Sequence, residues 1–259
     1  LTPPSSPLIS VLLSVKNGMP HFPGAVRSVL KQTERDFELL LMDDGSTDGT
    51  AGAIERFARE DARVRMFRHS KPLGLTRSLN ELLAEARGVY IARQDSDDMS
   101  ARRRFEFQRR FLDQHPTLLA AICSYWYITE AGRPVCVQRL PADPVELRAF
   151  LERTNKACHG TFFFRAEALR KLGGYREDFP LSQDYELLLR AFKNGEVACL
   201  REPLYGFRLS PDSLTFRNPL RQKAYLDKAR HIHLGGPAPA RFDFDPAPPR
   251  LAEAAYAVR

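Results

Sequence analysis

"FELLLMDDGSTDGTAGAIERFARE", residues 37–60, opens as an apolar run, passes through an acidic turn rich in Gly and Thr, and becomes amphipathic with helical spacing. An apolar run of that length, bounded by turn residues, fits a strand buried on both faces. The amphipathic stretch fits a helix laid over it. The same couplet recurs on either side. "LISVLLSV" (8–15) is followed by "FPGAVRSVLKQ" (22–32), "RVRMFRH" (63–69) by "LTRSLNELLAEA" (75–86), and "GVYIARQD" (88–95) closes the series. Short strands alternating with helices predict an α/β fold: a parallel sheet with helices on both faces.

Ligands of such sheets bind outside the carboxyl ends of the strands. Those ends carry Ser14, Lys16 and Asn17, then Asp43 and Asp44 of "DDGSTDGT", then Asp95, Asp97 and Asp98 of "DSDD". They are expected to face one cleft. Hard carboxylate oxygens suit Mg²⁺ or Mn²⁺, ions usually held by one or two carboxylates plus substrate phosphates. Asp is also a turn and cap residue, so this segment alone fits a metal site and a helix cap equally. Ser46, Thr47 or Thr50 is expected to cap the helix after the second strand. No GxGxxG follows a strand and no GxxxxGK[ST] occurs, so a dinucleotide fold and a P-loop NTPase lose support.

The alternation breaks after residue 100. "RRRFEFQRRFLDQH" (102–115) reads as a helix, with Arg102, Arg103, Arg104, Arg109 and Arg110 on a solvated face. Their functional alternative is contact with a phosphorylated or lipid-linked acceptor or an anionic membrane. "LLAAICSYWYIT" (118–129) and "HGTFFFR" (159–165) are strand candidates. "DPVELRAFLER" (143–153) has Asp143 as N-cap and Pro144 at the first helical position. "SQDYELLLRAFKNG" (182–195) is a helix with Ser182 as cap and Gly195 as stop. The proline-dense "GPAPARFDFDPAPPR" (236–250) predicts irregular structure. Trp126 and Tyr125 fit either an acceptor wall or core packing, and His159 fits either a structural histidine or an acceptor contact.

The 259 residues suffice for one large domain or a domain with an appendage, with 43% hydrophobic and 27% charged residues as in ordinary soluble proteins. No apolar run approaches the ~18 to 20 residues that span a bilayer. "LTPPSSPLIS" reads as a loose lead-in rather than a signal peptide. A net charge of +7 favours anionic partners: nucleic acid, acidic lipid or a phosphorylated substrate. Cys123, Cys136, Cys158 and Cys199 are scattered and read as reduced core thiols of a cytosolic protein. His231 and His233 diverge on a helix, which argues against a metal site there.

The ordered set "ISVLLSVKNG", "SVLKQT", "FELLLMDDGSTDGT", "GLTRSLNELLAEARGVYIARQDSDDMS", "HGTFFFR", "GGYREDF", "QDYELLLR" and "FRLSPDS" resembles the family-2 inverting nucleotide-sugar glycosyltransferases of the GT-A fold. The resemblance runs from Ile9 to Ser213. It implies one GT-A-like domain over 8–215, with a nucleotide-sugar half (8–100) and an acceptor half (101–215), then a C-terminal helix and Pro-rich tail over 216–259. It implies nucleotide contacts from Ser14, Lys16, Asn17, Asp43, Asp44, Arg77 and Asp95, with Asp44 on the nucleobase. Asp95 and Asp97 match the DxD metal motif, for Mn²⁺ or Mg²⁺, and Asp98 supports it. Asp184 matches the catalytic base, with Gln183 beside it. Ser182 as cap and the helix dipole predict an ionised Asp184. The implied donor is a nucleotide-diphosphate sugar, by expectation UDP-linked. The acceptor is a glycan or lipid-linked hydroxyl in polysaccharide, glycolipid or cell-envelope synthesis. The implied location is cytoplasmic, with peripheral contact at the inner face of the membrane.

Three positions depart from the family pattern. Lys16 replaces an aromatic base-stacking residue and offers a phosphate-binding cation. Gln183 replaces an acidic neighbour of the base, and Ser210 stands where a histidine often helps at the phosphates. A sugar-phosphate nucleotidyltransferase would need a Gly-rich basic loop after the first strand, which "SVKNGMP" does not supply. A catalytically silent binding protein of the same fold is opposed by intact Asp95, Asp97 and Asp184. The sequence has no RNP-type aromatic signature, which argues against a nucleic-acid partner.

Overall fold

A computed structural model describes residues 7–210 and 219–236. The alternating segments fold as read: β1 (Ile9–Val15), α1 (Phe22–Leu30), β2 (Phe37–Asp44), α2 (Thr50–Glu60), β3 (Val64–His69), α3 (Leu75–Glu85) and β4 (Tyr90–Arg93). Every residue of β1, β2 and β4 is buried, as continuous apolar runs require in a sheet covered on both faces. The four strands are parallel in the order β3-β2-β1-β4. Strand order reverses around β1, so a crevice opens at the carboxyl ends of β1 and β4.

The second half continues the same sheet but changes its sense. After the two-residue β5 (Met99–Ser100) come α4 (Arg104–Gln114), β6 (Leu118–Ile128), β7 (Pro134–Gln138) and α5 (Pro144–Thr154). Then follow a 3₁₀ turn (His159–Thr161), β8 (Phe163–Arg165), α6 (Ala166–Lys171), α7 (Gln183–Asn194), β9 (Glu196–Arg208) and α8 (Pro219–His233). β8 is antiparallel to both β4 and β6, and β9 runs parallel to β6 along its whole length. The sheet is therefore mixed rather than wholly parallel. "HGTFFFR" divides into the 3₁₀ turn and the short β8, and β9 has no counterpart in the sequence reading.

Two apolar layers hold the sheet. Phe22, Val26, Ile54, Phe57, Phe105 and Phe163 pack on one face. Leu79, Leu82, Leu147, Leu151, Phe164, Leu188 and Phe192 pack on the other. Asp143 caps α5 as expected, its Oδ1 accepting from the N–H groups of Val145 and Glu146 at 3.0 Å each. Ser182 does not cap α7. It lies at φ 54°, and its hydroxyl donates to the Gln222 carbonyl of α8 at 3.1 Å. Cys123, Cys158 and Cys199 are buried, but Cys136 is exposed on β7, so it is not a core thiol. All four cysteines are free. Among the described residues no helix is long and apolar enough to cross a membrane.

One arginine of the 102–104 run contradicts its reading as a solvated face. Arg104 is fully buried, while Arg102 and Arg103 are exposed. Its guanidinium donates to Gln108 Oε1 (2.9 Å), Ser100 Oγ (2.9 Å) and the Arg93 carbonyl (2.8 Å), and it lies over the Tyr205 ring. A buried charge needs this degree of hydrogen bonding to be tolerated.

Candidate active site

The loops after β1 and β2 are fastened to each other. Asn17 N–H donates to Ser46 Oγ, Gly18 N–H to Thr50 Oγ1 and Met19 N–H to Asp48 Oδ2, while Asn17 Oδ1 accepts from Thr47 N–H. The hydroxyls of Ser46 and Thr50 are thus spent across the loops. Neither caps α2, whose N-cap is Gly49 with no side-chain bond. Asp48 Oδ1 takes the Thr50 N–H instead. Lys16 stands exposed at the end of β1 and makes no ion pair among the described residues. Ser14 is buried one residue before that end.

Asp43 and Asp44 close β2 and point to opposite faces. Asp43 Oδ1 accepts from Ser46 N–H, and Oδ2 is buried without a hydrogen bond, with Arg68 Nε at 3.4 Å. Asp44 Oδ1 accepts from Leu73 N–H (2.7 Å) and faces His69 Nδ1 (2.8 Å); Oδ2 accepts from Gly74 N–H (2.9 Å). Gly74, at φ 95°, lies in the left-handed half of the map, where a side chain is strained. Burial works to raise the Asp44 carboxyl, but these bonds outweigh it and hold it below its ordinary range. One lone pair on Oδ2 stays uncommitted. Arg77, in the first turn of α3, is exposed and paired with Glu81.

The acidic loop after β4 rests on polar groups from β4, from the loop itself and from β9. Arg93, buried at the end of β4, donates to Asp95 Oδ1 at 2.7 Å and to the Leu12 carbonyl. Gln94 Nε2 donates to the carbonyls of Asp95 and Asp98. Tyr205 Oη, from β9, accepts the Asp95 N–H at 3.1 Å. An added Cβ on Gly160 would lie 2.0 Å from that hydroxyl, so Gly160 is what lets Tyr205 reach the loop. Arg208 N–H donates to Asp98 Oδ1 at 2.7 Å, and Arg208 Nε to the Asp97 carbonyl at 2.6 Å.

The three carboxylates then differ in availability. Asp97 makes no side-chain hydrogen bond among the described residues; burial and then the Asp95 charge push its carboxyl up. Asp98 is buried with Oδ2 unpartnered, and burial, then Asp97 and Asp95, push it well up. Asp95, Asp98 and Cys158 bring possible ligand atoms within 4.8 Å of one another. Crowded, partly unsatisfied hard oxygens fit a divalent cation. Among the described residues, Asp95 of the expected Asp95–Asp97 pair belongs to this group and Asp97 does not, while Asp98 and Cys158, the latter through the turn before β8, join it.

Asp184 lies in the first turn of α7, and its Oδ1 accepts its neighbour's Tyr185 N–H at 2.8 Å. Burial, reinforced by the Asp95 charge, pushes its carboxyl up to about 6, despite the helix terminus. The expected depression by the dipole is therefore outweighed by desolvation. Asp95 and Arg93 both act on the Asp184 carboxyl electrostatically, the first raising and the second lowering it. Gln183, beside it, is buried.

His159 is buried in the turn before β8. Its Nε2 is 2.8 Å from Tyr175 Oη, and burial, then Arg93, hold the ring well below its usual range and so neutral. Trp126 and Tyr125 do not form a joint wall, because successive strand residues face opposite ways. Tyr125 is buried against Tyr127 and Phe207, whereas Trp126 is partly exposed on the other face.

Comparison with known proteins follows these elements. The family described as Glycosyl transferase family 2 matches residues 10–173. EpsE of Bacillus subtilis is 34% identical over 219 residues, covering 83% of this chain and 77% of its own. EpsJ of the same organism is 29% identical, covering 81% and 63%. Among solved structures, S. aureus TarS 1–349 in complex with UDP-GlcNAc superposes with a TM-score of 0.71 at 17% identity, over 88% of this chain and 66% of that one. The mannosyltransferase PcManGT from Pyrobaculum calidifontis, in complex with GDP-Man and Mn²⁺, gives 0.65 at 19%, over 90% and 66%. This chain thus spans about two thirds of those two longer chains, which share its fold. With the family matched across β1 to α6 and EpsE aligned over most of both chains, this protein belongs to glycosyl transferase family 2 and is a glycosyltransferase.

Proposed function

We propose that this protein is a metal-dependent, inverting glycosyltransferase that moves a sugar from a UDP-linked donor to an acceptor hydroxyl. The observation that carries the reading is the set of crowded, partly unsatisfied carboxylates at the carboxyl end of β4, together with an Asp184 carboxyl pushed up to about 6 by burial and the Asp95 charge. Asp44 Oδ2, with its spare lone pair, accepts the imide N–H of uracil. The exposed Lys16 offers its ammonium to the diphosphate. Asp95 and Asp97 would hold a divalent ion, Mn²⁺ or Mg²⁺, with Asp98 in support. When bound, that ion supplies countercharge to the diphosphate leaving group. Asp184 takes the proton of the acceptor hydroxyl as that oxygen attacks the anomeric carbon from the face opposite the leaving group. A single displacement inverts the configuration, so one carboxylate base suffices.

UDP-GlcNAc and GDP-Man are bound by TarS and PcManGT respectively, the latter with Mn²⁺. They define the panel for the test. Release of nucleotide from UDP- and GDP-sugars is followed with Mn²⁺ and with EDTA. Release from a UDP-sugar only with the metal is expected. Equal release in EDTA, or release from GDP-sugars alone, overturns the metal or the donor assignment respectively.

A further inference from the structure

His69 is the last residue of β3, and the parallel register sets it beside Asp44. Its two ring nitrogens face two carboxylates. Nδ1 is 2.8 Å from Asp44 Oδ1, and Nε2 is 2.6 Å from Glu81 Oε2 on α3. Glu81 Oε1 in turn accepts from Arg77 Nε at 3.1 Å. A continuous chain, Arg77–Glu81–His69–Asp44, therefore runs from the surface of α3 to the backbone of Leu73 and Gly74. A neutral imidazole has one N–H and satisfies only one carboxylate; an imidazolium satisfies both. Among the described residues the charged groups facing the ring are Asp44 from β2 and Glu81 from α3, with Arg77 behind Glu81.

We infer that His69 is a positioning residue for the nucleotide: as an imidazolium it fixes the Asp44 carboxylate and the 73–74 backbone, and it makes donor affinity fall as pH rises. This rests on the reading of Asp44 as the nucleobase contact. Burial lowers the ring's proton affinity, but the bonds to Asp44 and Glu81 outweigh it, and the net direction is upward. The contribution is accordingly full at low pH and is lost as pH climbs through the raised value. Loss of the proton leaves one N–H shared between two carboxylates, so Asp44 keeps its donor only in the tautomer with the proton on Nδ1, and through a neutral rather than a charge-assisted bond.

The test is calorimetric titration of UDP with Mn²⁺, and of GDP in parallel, from pH 6.5 to 8.5. It uses wild type, His69→Ala, His69→Asn and Glu81→Gln. The ligand's own ionisation is common to all four and cancels in the ratios. Wild-type affinity is expected to fall by about tenfold across the range, the size of one charge-assisted hydrogen bond. His69→Ala is expected to be weak at every pH. His69→Asn, which keeps a neutral donor toward Asp44, is expected to hold the affinity near the high-pH wild-type level at every pH. Glu81→Gln moves the fall to lower pH. A purely structural histidine would lower the melting temperature of these variants and leave the wild-type pH profile in place, which overturns the inference. If wild type binds neither nucleotide, the donor reading itself fails, and the inference with it.

Discussion

Replacing Asp184 by Asn separates a catalytic carboxylate from a structural one, because the two roles predict opposite changes in stability. The carboxyl is pushed from 3.8 up to about 6 in the folded protein, chiefly by burial. Folding therefore has to accommodate a charge that the interior disfavours. Stability falls as pH rises from about 4 to about 6 and is flat above, where both states are ionised. A shift of about two units corresponds to about 3 kcal/mol at most, and about 2 kcal/mol allowing for the part-exposed side chain. Asn keeps an Oδ1 to accept the Tyr185 N–H and carries no charge. Asp184→Asn is therefore expected to raise the melting temperature at pH 7 by about 4–8 °C. The gain should vanish near pH 4. Turnover should fall by the roughly 10²- to 10⁴-fold typical of a lost general base, and wild-type turnover should decline below about pH 6. Differential scanning fluorimetry and steady-state sugar transfer measure the two quantities. A variant that is less stable yet keeps more than about a tenth of wild-type turnover would refute the assignment.

Asp97→Ala is expected to abolish Mn²⁺-dependent UDP binding while leaving the urea midpoint close to wild type, since its carboxylate holds no protein group. Equal UDP affinity with and without Mn²⁺, in both proteins, counts against the metal role. Arg104→Met should cost about 2–4 kcal/mol in urea unfolding, because it strands the Arg93 carbonyl and the side chains of Ser100 and Gln108. The exposed Arg103→Met should stay within about 0.5 kcal/mol. Indistinguishable midpoints for the two arginine variants would show that the buried guanidinium holds nothing in place.

The parallel half of the fold was legible because its signal is local. β1, β2 and β4 are short, mostly apolar runs, and α1 to α3 carry helical spacing, so each element is written within its own window. β9 is not. "EVACLREPLYGFR" interrupts its apolar residues with Arg201, Glu202, Pro203 and Gly206, and the register shifts near Pro203. Its identity as a strand comes from pairing with β6, some 80 residues earlier. The site divides in the same way. The acidic strand ends were visible as motifs. The neutral state of His159 and the raised carboxyl of Asp184 were not, because burial by distant elements decides both.

Arg104 marks the boundary between the two kinds of information. Three consecutive arginines read as a solvated face only while the phase of α4 is ignored. The buried stripe of that helix is Arg104, Phe105, Gln108 and Leu112. Phe105 and Leu112, seven apart, fix its inner face, and Gln108 lies one turn from Arg104, so the phase alone puts this arginine inside. What the phase does not say is why a charge is tolerated there. The answer is the acidic loop it underlies: Arg104 holds the Arg93 carbonyl and Ser100, and Arg93 holds Asp95. Clustered aspartates need a rigid base and nearby positive charge to stay in place without a ligand. The apolar periodicity that builds the sheet supplies neither; Arg104, turned inward, and Arg93, at the end of β4, provide them together with Arg208 of β9.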